Sequence, residues 1–222
     1  MDGTKRRPRL LIISRKRSRA FTNVGDIATL AKKLGYRVVV AEPDADLSGF
    51  SQIINSCDVV MGVHGAGLTN IVFLPENAVF IQVIPFGGAE WLSRTFFEEP
   101  AKAMNIRYLD YKIRVEESTL LQQYPADHVV LRDPSVIGKQ GWLAFRSIYF
   151  QKQNVTIDVN RFRPTLVKAL ELFASVNNNT LQFFPGYVLR PITTIFNIIL
   201  KLKSQRPRLS LRDILRFGPQ VL

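Results

Sequence analysis

A single cysteine, Cys57, stands in a chain of 222 residues, and one thiol closes no internal disulfide. It reads as a small, buried, apolar side chain beside a strand. Histidine is equally scarce, at two residues, so no zinc cluster and no other metal site is expected. Long apolar runs are missing too. None reaches the ~18 residues of a membrane span, and the nearest, PITTIFNIILKL, is flanked by Arg190 and Lys201. The opening MDGTKRRPRLLIIS has too short an apolar stretch after its basic cluster for a signal peptide, and no small-residue cleavage site. Two nucleotide signatures are absent as well. Without G-x-x-x-x-G-K-[ST], a P-loop NTPase is disfavoured, and without G-x-G-x-x-G after the first strand so is a dinucleotide oxidoreductase.

What is present supports a folded domain. Hydrophobic residues make up 46% and charged residues 22%, enough for one or two domains with a real core. The net charge is +12, but residues 1–20 hold +7 of it and residues 181–222 hold +6, leaving about −1 for everything between. A duplex-binding domain spreads Lys and Arg over a folded face. Here the basic ends read as solvated tails, and no nucleic-acid partner is expected. A lesser alternative is binding of a membrane surface or polyanion through those ends, which deleting 181–222 would abolish. Two sequons, NVT at Asn154 and NNT at Asn178, are N-glycosylation candidates if the chain enters a secretory compartment.

Strands and helices alternate along the chain. Short apolar or β-branched runs at 9–14, 36–42, 58–64, 78–85 and 106–113 read as strands. Between them, 24–35 shows helical spacing with Asn23 as its cap, 47–57 is a second helix, 67–74 a short one, and 91–105 a helix kinked or split by Pro100. This predicts an α/β, Rossmann-like parallel sheet with helices on both faces. Residues 116–150 are mixed loop and short elements, and 160–175 is a closing helix broken by NNN at 177–179. The expected organisation is a basic extension over 1–7, a Rossmann-like domain over 8–176, and a basic, partly helical tail over 177–222.

In an open α/β sheet, ligands bind beyond the carboxyl ends of the strands. Three loops fall there: 14–23, 64–70 and 85–91. MGVHGAGLTN (61–70) places Gly65 and Gly67 at a switch from strand to helix. Glycine there permits unusual backbone geometry or close approach of a ligand, and a helix amino terminus with free N–H groups favours phosphate. Packing in a tight turn is an equal alternative. SRKRSR (14–19) follows the first strand. Of its cations, Arg15 and Arg19 are best placed to bind a diphosphate with their guanidinium forks. Thr69 offers a hydroxyl. His64 is expected to contact the ligand, or less readily to act as a base. Glu90 is either a ribose-hydroxyl partner or an acid favoured at a helix start. DAD at 44–46 has the form of a metal-binding sugar-transferase motif, but reads better as a turn and cap.

GVHGAGLTNIVFLP, followed by VFIQVIP, EW and YLDY and preceded by LIISRKRSR, resembles glycosyltransferase family 61. The resemblance spans roughly residues 8–175. It implies the carboxyl-terminal, donor-binding half of a GT-B enzyme that works by inversion without metal or other cofactor. By the resemblance, Arg15, Arg19, His64, Gly65, Ala66, Gly67, Leu68 and Thr69 cradle the diphosphate of a UDP-sugar, with Asn70 completing the turn. Gln82, Ile84 and Pro85 line the nucleoside or sugar, and Glu90 and Trp91 lie beside it. The implied partners are a UDP-sugar and a xylan or glycan acceptor, and the implied location is the Golgi lumen. The family's membrane anchor, stem and first Rossmann domain find no match in this sequence, so the main base is expected outside it. A non-catalytic nucleotide-sugar-binding remnant is the second reading.

Overall fold

A computed structural model of the chain describes residues 6–43 and 47–179. Five strands form one parallel sheet: β1 Arg9–Ile13, β2 Arg37–Ala41, β3 Val59–Val63, β4 Val79–Ile84 and β5 Arg107–Lys112. Each lies within a run that the sequence marks as a strand. The order is β2-β1-β3-β4-β5. Strands β1, β3 and β4 occupy the middle and are almost wholly buried, whereas β2 and β5 carry exposed positions at the edges. That gradient explains why the central runs are continuously apolar.

The pleat sends alternate residues to opposite layers. Leu10 and Ile12 of β1 join one core with Val59, Met61 and Val63, while Leu11 and Ile13 join the other with Val60 and Phe80. The first layer is covered by α1 (Val24–Lys33) and α8 (Val159–Asn179), through Ile27, Ala31, Phe162 and Leu166. Tyr36 Oη also donates to the Leu166 carbonyl at 2.7 Å. The second layer is covered by α2 (Leu47–Asn55) and a 3-10 helix, Ala66–Phe73, through Phe50, Ile54, Leu68 and Ile71. Helices therefore lie on both faces, as the alternation predicts.

Four local expectations are revised. Asn23 stands at the start of α1 but makes no capping bond. Its amide instead pairs with the backbone of Ile157, donating to the carbonyl at 2.9 Å and accepting the N–H at 3.0 Å. The break at Pro100 occurs earlier: after α3 (Glu90–Ser93) a π-helical turn, Arg94–Glu98, precedes α4 (Glu99–Ala103). The Glu99 N–H reaches the Arg94 carbonyl five residues back. This wider turn lets the Pro100 ring enter the first turn of α4, where its missing N–H costs nothing. The segment after β3 is 3-10 and not α, beginning at Ala66. Finally, α8 runs through the asparagines 177–179 to Asn179, because asparagine is a weak helix former and not a breaker.

Residues 113–153 fold into short pieces: α5 Val129–Arg132, α6 Pro134–Lys139, α7 Trp142–Phe145 and a π turn, Arg146–Gln151. They make a third core with Ile84, Ala89 and Leu92 behind the end of β4. Cys57 is buried, with its thiol donating to the Ile53 carbonyl at 3.1 Å. The motif at 44–46 and the tail beyond residue 179 lie outside the described residues.

Candidate functional site

Strand order fixes where the site lies. The chain leaves β1 for β2 on one side and β3 for β4 on the other. The diverging connections open a crevice at the carboxyl ends of β1 and β3. The loop after β1 holds the arginines and the turn after β3 holds the glycines, so the two meet there. Arg19 Nη1 donates to the His64 carbonyl at 2.9 Å.

Within the basic loop the cations divide. Lys16 and Arg17 are exposed. Lys16 pairs with Glu42 through both its ammonium and its amide, each at 3.0 Å. Arg15 is half-buried and Arg19 is 6% exposed. Burial lowers the pKa of both, opposed at Arg15 by the charge of Glu42. For Arg19 the pKa falls to about 9, because the charges of Arg15 and Arg146 add to desolvation. Among the described residues Arg19 has no acidic partner, and its Nε–H is buried without any hydrogen-bond acceptor. Its guanidinium lies over the Phe150 ring, 4.8 Å from the centroid. Arg19 itself holds a left-handed backbone, φ 54°. The loop is held there from outside: Arg19 N–H bonds to the Gln153 carbonyl at 2.7 Å, and Ala20 N–H to Asn154 Oδ1 at 3.0 Å.

The two glycines of the turn serve different ends. Gly65 has φ 151° and ψ −179°, a region that only glycine enters without strain. Gly67 answers to packing, since a Cβ there would stand 3.1 Å from Pro43 Cγ and 3.5 Å from Ile13. The rest of the turn modifies the sequence reading. Leu68 is buried in the core and its N–H is spent on the Gly65 carbonyl at 2.9 Å, so it offers a phosphate nothing. Thr69 Oγ1 donates to the Ala66 carbonyl at 2.7 Å, and Asn70 Nδ2 to the Gly67 carbonyl at 3.1 Å. Both side chains brace the 3-10 turn.

His64 is 1% exposed, with its ring between Phe97 and Phe150 at 5.1 and 5.2 Å. Burial first, and the charges of Arg19 and Arg15 after it, push its pKa down to about 3. A ring so reluctant to take a proton is poorly suited to act as a general base near neutrality. Gln82 Nε2 lies 2.8 Å from His64 Nδ1, and Tyr108 Oη donates to Gln82 Oε1 at 2.7 Å. Gln82, Ile84 and Pro85 are buried. Glu90 and Trp91 reach the surface. Glu90 pairs with Lys112, and the indole is 46% exposed.

Arg146, Phe150 and Gln153 escape the sequence reading. They sit in the weakly patterned stretch before α8, and only the i, i+4 spacing of Arg146 and Phe150 hints at a shared face. Gln153 is fully buried and clamps Phe86, accepting its N–H at 2.9 Å and donating to its carbonyl at 2.9 Å. The same residue thus holds the loops after β1 and β4 together. Of the sequons, Asn154 and Thr156 are structurally engaged: Asn154 binds the Ala20 N–H, and Thr156 Oγ1 lies 2.6 Å from Thr22 Oγ1. Asn178 falls in the last turn of α8, and its side chain lies outside the described residues. Among the described residues no group of three or more His, Cys, Asp and Glu is placed to hold a metal, and no helix is long and apolar enough to cross a membrane.

Comparison with known proteins adds to this geometry. Residues 2–81, which include both the arginine loop and the glycine turn, match the family model Glycosyltransferase 61. Alpha-1,3-arabinosyltransferase XAT2 of Oryza sativa subsp. japonica is 50% identical over 169 residues, 75% of this chain and 29% of that protein. Beta-1,2-xylosyltransferase XYXT1 of the same plant is 47% identical over 171 residues, 77% of this chain and 37% of that protein. Xylan glycosyltransferase MUCI21 of Arabidopsis thaliana is 37% identical over 166 residues, 74% of this chain and 33% of that protein. The chain thus spans about a third of the length of these relatives. On these grounds the chain belongs to the glycosyltransferase 61 family.

Proposed function

We propose that this chain forms the donor-binding part of a glycosyltransferase that moves a pentose, xylose or arabinose, from a UDP-sugar to a xylan or glycan hydroxyl. The observation that carries the reading is Arg19, bonded to the HGAG turn through the His64 carbonyl under the added positive charge of Arg15 and Arg146, with a buried N–H left without an acceptor. Like charges held together under burial favour an anion between them. Guanidinium forks match phosphate oxygens in geometry as well as in charge. The names of the plant relatives supply the pentose and, for MUCI21, the xylan.

In this reading the reaction is a direct displacement with inversion at the anomeric carbon. The acceptor oxygen forms the new bond on one face as the bond to UDP breaks on the other, and a base takes the acceptor proton. The arginines balance the charge that develops on the departing diphosphate. The base belongs to a part of the working enzyme other than these residues. With the rest of a GT-B protein, the domain would stand in the Golgi lumen, where family 61 enzymes meet their acceptors. The test is calorimetric titration of the chain with UDP, UDP-xylose, UDP-arabinose and UDP-N-acetylglucosamine, joined to a transfer assay on xylan oligosaccharides. Binding of UDP and of a UDP-pentose is the expected result. No binding of any of the four overturns the proposal.

A further inference from the structure

His64 lies at the meeting of five elements, and each presents it with a particular group. Strand β4 presents the Gln82 amide at 2.8 Å from Nδ1, and α3 presents Ser93 Oγ at 3.3 Å from the same nitrogen. The π turn after α3 supplies Phe97, the π turn after α7 supplies Phe150, and the loop after β1 brings Arg19 to the His64 carbonyl. The nearby charges acting on the ring, those of Arg19 and Arg15, are both positive. Among the described residues no carboxylate bonds to the ring.

The decisive group lies one step further out. Tyr108 of β5 donates its hydroxyl hydrogen to Gln82 Oε1 at 2.7 Å. An amide whose oxygen is held in this way turns its NH₂ towards the histidine. Nδ1 must then accept, so the single proton of the neutral ring sits on Nε2. We propose that Gln82 and Tyr108 are positioning residues that fix His64 as its Nε2–H tautomer, so that the ring meets whatever approaches that edge as a hydrogen-bond donor and never as a base. The assignment of the tautomer stands on the residues themselves. Its relevance to transfer rests on the donor-site reading above, because a fixed neutral donor suits a group that must not compete for the acceptor's proton.

The experiment is a long-range ¹H–¹⁵N spectrum of the ¹⁵N-histidine-labelled chain without nucleotide, with His128→Gln used to assign the two rings. The expected result is a neutral Nε2–H pattern for His64 that does not titrate between about pH 5 and about pH 8, across the range where a free imidazole does. Gln82→Glu presents only acceptors, so the proton is expected to move to Nδ1 or a second proton to appear. Tyr108→Phe frees the amide to flip, and mixed tautomers are expected. Should Gln82→Glu fail to fold, the wild-type and Tyr108→Phe spectra decide. A wild-type Nδ1–H pattern, or an unchanged Nε2–H pattern in a folded Gln82→Glu variant, overturns the proposal. Failure of UDP to bind would remove the donor-site reading and leave the tautomer standing.

Discussion

Arg19 Nη1 stands 2.9 Å from the carbonyl oxygen of His64, although 45 residues separate the two in sequence. The contact ties the basic loop to the glycine turn before any ligand arrives. It leaves the guanidinium with a buried N–H still unmatched. Arg19→Ala removes both the tie and the free donor. UDP affinity is expected to fall by about 1.5–3 kcal/mol, the range for a hydrogen bond to a charged group. Calorimetry on the variant measures this directly, and unchanged affinity would remove Arg19 from the site.

Arg146 acts on Arg19 through charge. Arg146→Ala relieves that repulsion and removes one positive charge from beside Arg19. The loss of UDP affinity is expected to be smaller than for Arg19→Ala, about 1 kcal/mol, because Arg146 is only half-buried and solvent screens it. Calorimetric titration of the two variants with UDP measures the difference.

His64 gives the fold an acid limb. The ring's pKa is about 3 in the folded protein against an ordinary 6.5. Below pH 6.5 the unfolded chain therefore takes up a proton that the folded chain refuses. Stability is complete above the ordinary value and drains away as pH falls towards 3, by up to about 1.4 kcal/mol per pH unit. Urea unfolding of wild type and His64→Phe across that range should show the slope in the first and a flatter limb in the second.

Gly65 holds a backbone conformation closed to other residues. Gly65→Ala is expected to cost about 1–3 kcal/mol, seen as a lower melting temperature. The damage should extend to UDP binding, because the His64 carbonyl that receives Arg19 immediately precedes the strained residue.

Away from the crevice, Glu117 is 4% exposed and accepts from Tyr111 Oη at 2.5 Å and from Arg161. Its carboxylate and burial together push the tyrosine hydroxyl's pKa upward. Arg161→Ala removes the counter-charge and leaves the buried carboxylate held by the Tyr111 hydroxyl and the N–H groups of Arg114 and Asp158, a loss of about 3 kcal/mol, at the low end for a broken buried pair. Denaturant midpoints should report it, with UDP affinity of the remaining folded protein unchanged.

The strands and their parallel order of layers were legible because burial on both faces writes continuous apolar runs, as in VVMGV and VFIQVI. The spacing of four in a turn singled out Arg15 and Arg19, and these are the more buried cations of the loop, with Lys16 and Arg17 exposed. What sequence could not convey was depth. Gln82 and His64 look alike as polar residues at strand ends, whether they meet solvent or lie under it. Only the packing of Phe97 and Phe150 decides that they are buried. Nor did any local pattern point to Gln153, because its partner Phe86 lies 67 positions away, and Arg146 showed only its i, i+4 spacing with Phe150. Asn23 illustrates the same limit: a residue with the right chemistry for a cap was recruited instead by a backbone 134 residues away.

The bonds that shape the arginine loop reach forward to Gln153, Asn154, Val155 and Ile157. During synthesis the amino-terminal strand and its loop emerge long before those partners exist. The loop therefore waits, already outside the ribosome, until the chain has grown past residue 157. Release-arrested nascent chains ending before that point should be open to protease at Arg15–Arg19, and those ending well beyond it should be closed.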